Sequence, residues 1–170
     1  SSLSIVSKKY PSVVILITGK PKSAVREMVD RLQLNDRIIF TGFLPLEDYP
    51  IYLGACDLFL LPMADRPYNL GRWPNKMGDY LAIARPTVTN PIGDIGTLFQ
   101  KHKVGLTAPW NPEIFADQII YLLEHEDEAQ EMGNTARWVA ENEYSWSGHG
   151  EKLEDFYRLI LEKERRTVTG

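Results

Sequence analysis

The stretch Arg72-Trp73-Pro74-Asn75-Lys76-Met77-Gly78-Asp79-Tyr80 carries the densest chemistry in this 170-residue chain. Pro74 suits the first position of a helix, where its missing N–H costs nothing. Lys76 then falls in the first turn, where the helix dipole disfavours a cation. An anion docked there would be held by free backbone N–H groups, that of Asn75 among them, and by the ammonium together. The plainer alternative is an exposed lysine paired with Asp79 three residues on. Spacing alone leaves both open. Asp79 also reads two ways. A carboxylate near a helix start is mildly stabilising in itself, and it can accept hydrogen bonds from two vicinal hydroxyls, such as those of a ribose.

Other candidates sit where strands end. Gly42-Phe43-Leu44-Pro45 closes one apolar run, and ligands of parallel sheets gather at such strand ends; a simple turn reads equally well. Gly93-Asp94-Ile95-Gly96 could present backbone N–H groups at a helix start, again with a turn as the alternative. Gly19 and Lys20 end the first strand without completing a phosphate-binding loop pattern. Several common sites are excluded. No Gly-x-Gly-x-x-Gly follows a strand, and neither a Walker A sequence nor a Gly-x-Ser-x-Gly elbow occurs. His102, His125 and His149 are far apart, and His125-Glu126 lacks the second histidine of a zinc helix, so no metal site is expected.

The elements that must position these residues alternate. Residues 13–18, 37–41, 57–62, 87–89 and 104–108 read as short strands rich in Val, Ile, Leu and Phe, the first buried on both faces. Helical spacing covers 23–34, 46–56, 73–84 and 95–101, and then 112–124, 127–142 and 146–164 with no strands between. This order predicts an α/β fold, a Rossmann-like parallel sheet of about five or six strands flanked by helices, with a helical C-terminal tail. The expected division is a binding domain over 1–124 and helices over 125–170 that pack on it or on an absent N-terminal domain.

Composition bounds the partners. Nineteen basic against 23 acidic side chains give a net charge of −4. That charge argues against a non-specific nucleic-acid binder. The single cysteine, Cys56, excludes an internal disulfide and fits a reducing compartment. The longest apolar runs are too short to cross a bilayer, and no signal peptide is visible, so the expected location is cytoplasmic. A start at Ser-Ser rather than Met gives the further expectation of a fragment holding half of an active site.

In order, segments 11–19, 37–43, 55–62, 74–88, 93–96 and 104–109 resemble the C-terminal nucleotide-sugar domain of GT-B glycosyltransferases of group 1, the glycogen-synthase-like kind. The resemblance covers residues 11 to about 123 and implies half of a GT-B fold. It implies that Lys76 contacts a diphosphate, that Asp79, where the family usually has Glu, binds ribose hydroxyls, and that Phe43, Leu44 and Pro45 border the base. The departing diphosphate would be met by Lys76, by the helix start at Pro74 and Asn75, and by Arg72. The remaining expected binding residues are Gly19, Lys20, Gly93 and Asp94. The implied function is donor binding for a retaining transferase that needs no metal or cofactor and moves a sugar to an acceptor hydroxyl. The alternatives are a sugar-nucleotide epimerase of the same fold and a non-catalytic domain that kept it. Two departures stand out: the family's other Glu falls at Gly71, and Gly93 is followed by Asp94 where a second Gly is common. The domain's first strand and the acceptor domain are expected to lie before Ser1, and peripheral membrane contact of a full-length protein stays open.

Overall fold

The computed structural model describes the backbone of residues 1–168 and side chains through Lys163. Along the chain run α1 (Ser2–Lys9), β1 (Ile15–Thr18), α2 (Ser23–Arg31), a single 3-10 turn (Asn35–Arg37), β2 (Ile38–Gly42), α3 (Tyr49–Gly54), β3 (Phe59–Leu61) and α4 (Pro67–Leu70). There follow α5 (Asn75–Ala82), β4 (Thr87–Thr89), α6 (Gly93–Lys101), β5 (Gly105–Thr107), α7 (Pro112–Glu124), α8 (Glu126–Asn142) and α9 (Trp146–Val168).

Every expected strand forms, and every pairing is parallel, but the strands make two sheets rather than one. β1 pairs with β2, and β3, β4 and β5 pair in that order. The larger sheet is a three-layer sandwich. Its central strand, β4, is buried at all three positions. Because side chains alternate across a strand, Val88 packs toward Val6 of α1 and Phe115, Ala116 and Ile119 of α7. Leu61 goes with the opposite layer, where Met77 and Leu81 of α5, Ile95 and Leu98 of α6, and Ala136 and Val139 of α8 meet. Met77 and Leu81 are fully buried, and each such side chain contributes about 1.5–3 kcal/mol relative to exposure. These two residues seat α5 on the sheet.

The smaller sheet is covered less well. Its buried cluster is Val29, Leu34 and Ile38. β1, expected to be buried on both faces, is half-buried throughout because it pairs along one edge and leaves the other open. At the far end of β1 and β2 the two chains close by a Gly19 N–H donated to the Gly42 carbonyl at 2.7 Å. Both glycines are left-handed, at φ +89° and +68°, a conformation glycine adopts without steric cost.

Local differences from the sequence reading have physical causes. α1 forms from a Ser- and β-branched-rich segment of modest helix propensity, because Ile5 and Val6 pack beside α7. α5 starts at Asn75, with Pro74 as an extended N-cap (φ −71°, ψ 118°) rather than as the first helical residue. α6 starts two residues earlier than its apolar spacing suggests, at Gly93. α4 is a single turn inside the expected loop. α5 ends in a left-handed residue, Ala84 at φ +61°, and Arg137 of α8 donates to the Ala82 carbonyl at 2.6 Å.

Candidate functional site

Parallel strands that each feed a loop at the same end gather those loops along one sheet edge. On the smaller sheet these are Gly19 and Lys20 after β1 and Phe43, Leu44 and Pro45 after β2; on the larger they are residues 62–74 after β3, Asn90 through Asp94 after β4, and Ala108 through Trp110 after β5. The segment around α5 is pinned from both sides. Trp73 stacks on Tyr144 with ring centroids 4.7 Å apart, and Tyr80 stacks on Phe59 at 4.1 Å. Burial pushes the Tyr80 phenol up to about 12, so it stays neutral in any ordinary buffer.

Between these pins the first turn of α5 faces outward. Pro74 is buried, whereas Asn75 and Lys76 are exposed. No side chain caps the helix and no acidic residue lies in its first turn. The first turn of α5 therefore combines uncapped backbone N–H groups with an exposed lysine, two features that favour an anion. The alternative pairing of Lys76 with Asp79 does not form: among the described residues no ion pair includes Lys76, Arg72 or Lys20. Asp79 is approached instead by the Tyr49 hydroxyl, 3.4 Å from its Oδ2. Asp79 is exposed as a residue, yet partial desolvation raises its carboxyl from the ordinary value, and the Tyr49 bond partly offsets this. Burial and the Asp79 charge in turn raise the Tyr49 phenol.

Two further residues organise the edge, and the sequence reading missed both. Asn90 is buried and ties three loops together. Its Oδ1 accepts from the Met63 N–H at 2.8 Å, and its Nδ2 donates to the carbonyls of Ala108 at 2.9 Å and Pro109 at 3.1 Å. The signal was an asparagine standing directly after a buried Thr-Val-Thr strand and before Pro91. Asn69 of α4, also buried, donates to the Ala64 carbonyl at 2.7 Å and shapes the loop after β3. That loop meets the start of α6: a Cβ at Gly93 would lie 2.6 Å from the Leu70 carbonyl oxygen. With Gly93 at φ +54°, glycine serves there both conformation and close approach.

The structure thus joins Asp79 to the helix that follows the Phe43–Leu44–Pro45 loop, and it sets Gly93 against α4, with Asp94 next to it in the first turn of α6. Lys20 and Arg72 are exposed, and neither makes an ion pair among the described residues. The edge is open rather than enclosed. A concavity of about 340 Å3 lies at the opposite end of β3 and β4 between Asp57, Arg85, Pro86 and Glu126, and contains none of these residues.

A Rossmann-like α/β unit with an uncapped cationic helix start on its strand-end edge defines the class. The family model described as "Glycosyl transferases group 1" matches residues 2–125, and the chain belongs to that family, as its C-terminal domain. Arabidopsis thaliana "UDP-glycosyltransferase TURAN" is 30% identical over 146 residues, which are 78% of this chain and 30% of that protein. Sucrose-phosphate synthase from Thermosynechococcus elongatus superposes with a TM-score of 0.80 at 17% identity, over 95% of this chain and 42% of its own. Anabaena HepE in complex with UDP superposes at 0.74 and 19% identity, over 92% of this chain and 44% of its own. The chain therefore spans less than half the length of each. Among the described residues no helix is long and apolar enough to cross a membrane.

Proposed function

We propose that this chain is the donor half of a retaining glycosyltransferase, binding a nucleoside-diphosphate sugar at the strand-end edge in a cytoplasmic protein. The observation that carries the reading is the start of α5: an uncapped helix N-terminus with an unpaired Lys76 beside it and Asp79 one turn on. In this reading the diphosphate lies against the Asn75 and Lys76 N–H groups and the Lys76 ammonium, with Arg72 nearby. The ribose reaches Asp79, and the base lies by Phe43, Leu44 and Pro45. Gly19, Lys20, Gly93 and Asp94 complete the rim.

The chemistry is a substitution at the anomeric carbon. Its bond to the diphosphate oxygen breaks, a bond to the acceptor hydroxyl oxygen forms, and that hydroxyl's proton is released. Negative charge grows on the departing diphosphate, and donors already aimed at it stabilise that change without reorganisation. No protein carboxylate stands at Gly71 to face the sugar, and this one feature favours a second reading, a domain that binds nucleotide without transfer.

An acceptor half is proposed as partner. α9 supports it: Leu153, Phe156, Tyr157 and Ile160, at the spacing of one helix face, are all exposed, an apolar face that an ordinary surface rarely shows. Calorimetric titration with nucleoside diphosphates and their sugars tests the binding. The isolated chain is expected to bind a nucleoside diphosphate and to give no acceptor-dependent sugar transfer, because closure of two facing units completes such sites. Failure to bind any nucleoside diphosphate removes the proposal; robust transfer by the 170-residue chain removes the need for a second half.

A further inference from the structure

We infer that the Tyr49 hydroxyl positions the Asp79 carboxylate for ribose, which makes Tyr49 a determinant of ribose specificity. The inference rests on the reading of Asp79 given above. Tyr49 opens α3 directly behind the Phe43–Leu44–Pro45 loop. Its backbone N–H donates to the Pro45 carbonyl at 3.1 Å, as does that of Asp48. One end of the residue is therefore fixed to the loop assigned to the base, while its phenol lies against Asp79 on α5. A single side chain spans the two parts of the site that the sequence leaves unconnected.

The chemistry of the carboxylate explains why such a contact matters. An ionised aspartate offers about four lone-pair positions and turns freely about its last torsion. A donor on Oδ2 takes one position and restrains that rotation, leaving Oδ1 and the rest of Oδ2 for two vicinal hydroxyls. At 3.4 Å the bond is long for O–H···O, so it restrains the carboxylate only loosely. The phenol also favours the charged form, which alone accepts from both hydroxyls. Few other titratable groups act here. Lys76 and Tyr80 come from α5 itself, and Cys56, just beyond α3, couples to Tyr80. On α8, Arg137 is engaged with Ala82 and Glu141.

The test is calorimetric titration of the chain, Tyr49→Phe and Asp79→Asn with UDP and GDP, each beside its 2′-deoxy form, from about pH 3 to 8 so that the ordinary aspartate range is included, with thermal melts of every variant. The original chain is expected to prefer the ribose form and to lose that preference as acid protonates Asp79. Tyr49→Phe should lose about two- to tenfold in affinity for the ribose form, lose less for the deoxy form, and move the acid limb to higher pH. Asp79→Asn should abolish the limb. A Tyr49→Phe chain that keeps both the ribose preference and the position of the limb overturns the inference while leaving the nucleotide site standing. Equal losses for both sugar forms with an unmoved limb mean a merely structural tyrosine, and overturn it too. A chain that binds no nucleoside diphosphate overturns the inference together with the reading beneath it.

Discussion

Lys76 stands where a cation is costly unless something negative arrives, and that double character gives it two measurable signatures. A charge-assisted hydrogen bond is worth about 1.5–3 kcal/mol, so Lys76→Ala should weaken nucleoside diphosphate binding roughly ten- to a hundredfold. Binding of the bare nucleoside should hardly change. Without ligand, removing a cation from the first turn should leave the fold unchanged or more stable by about 0.3–1 kcal/mol. Titrations with both ligands and denaturant melts of the unliganded proteins check this, and equal losses for nucleoside and diphosphate would remove the phosphate role. The place of Lys76 was legible because a proline and a helix dipole act over three or four residues. The partner of Asp79 was not. Tyr49 lies thirty positions earlier, and only the folded chain brings the two together.

At the scale of elements, what the sequence showed followed from local physics. Strands were legible from short β-branched and apolar runs, and helices α5, α7 and α8 from their apolar spacing. Boundaries moved where hydrogen bonding or packing overruled the pattern, as at Pro74 and Gly93. α1 was invisible because its stability comes from α7 rather than from its own residues. The end of α5 shows a conflict that the chain tolerates. Ala84 holds φ +61°, a conformation that costs a residue with a Cβ about 1–2 kcal/mol. Its carbonyl is crowded by α8, where a Cβ at Gly133 would come within 2.3 Å of it, so the turn cannot relax without separating the two helices. Ala84→Gly removes that strain and adds the entropy that glycine loses on folding. The net expectation is stabilisation of up to about 1 kcal/mol, read as a rise in the denaturation midpoint at unchanged slope. A fall in the midpoint would show that Ala84 is relaxed in its turn.

The whole molecule is uneven, and the unevenness follows from how each sheet is covered. β4 is flanked by β3 and β5 and sealed by α1 and α7 on one face and by α5, α6 and α8 on the other. The β1–β2 pair has a three-residue buried cluster and, in β1, an edge with no neighbouring strand. Two strands alone are marginal in water, so the smaller sheet borrows its stability from α1 and α2. An apolar strand such as Ile15–Thr18, read from sequence as buried on both faces, is half-buried because burial of a parallel strand is a property of its neighbours rather than of its composition. Local opening should follow the same division, since amides exchange through the cheapest opening that frees them. Hydrogen exchange is therefore expected to protect the β4 amides at Val88 and Thr89 up to the global unfolding free energy. The β1 amides that bond to β2 should exchange through a lower-energy opening that leaves β4 intact. Adding a nucleoside diphosphate should slow exchange around α5 and α3, and should slow the β4 amides as well, because a ligand that binds only the folded chain makes global unfolding rarer by the factor 1 + [L]/Kd. Equal protection of β1 and β4 would mean that the two sheets unfold as one unit, and that the open edge of β1 carries no energetic cost.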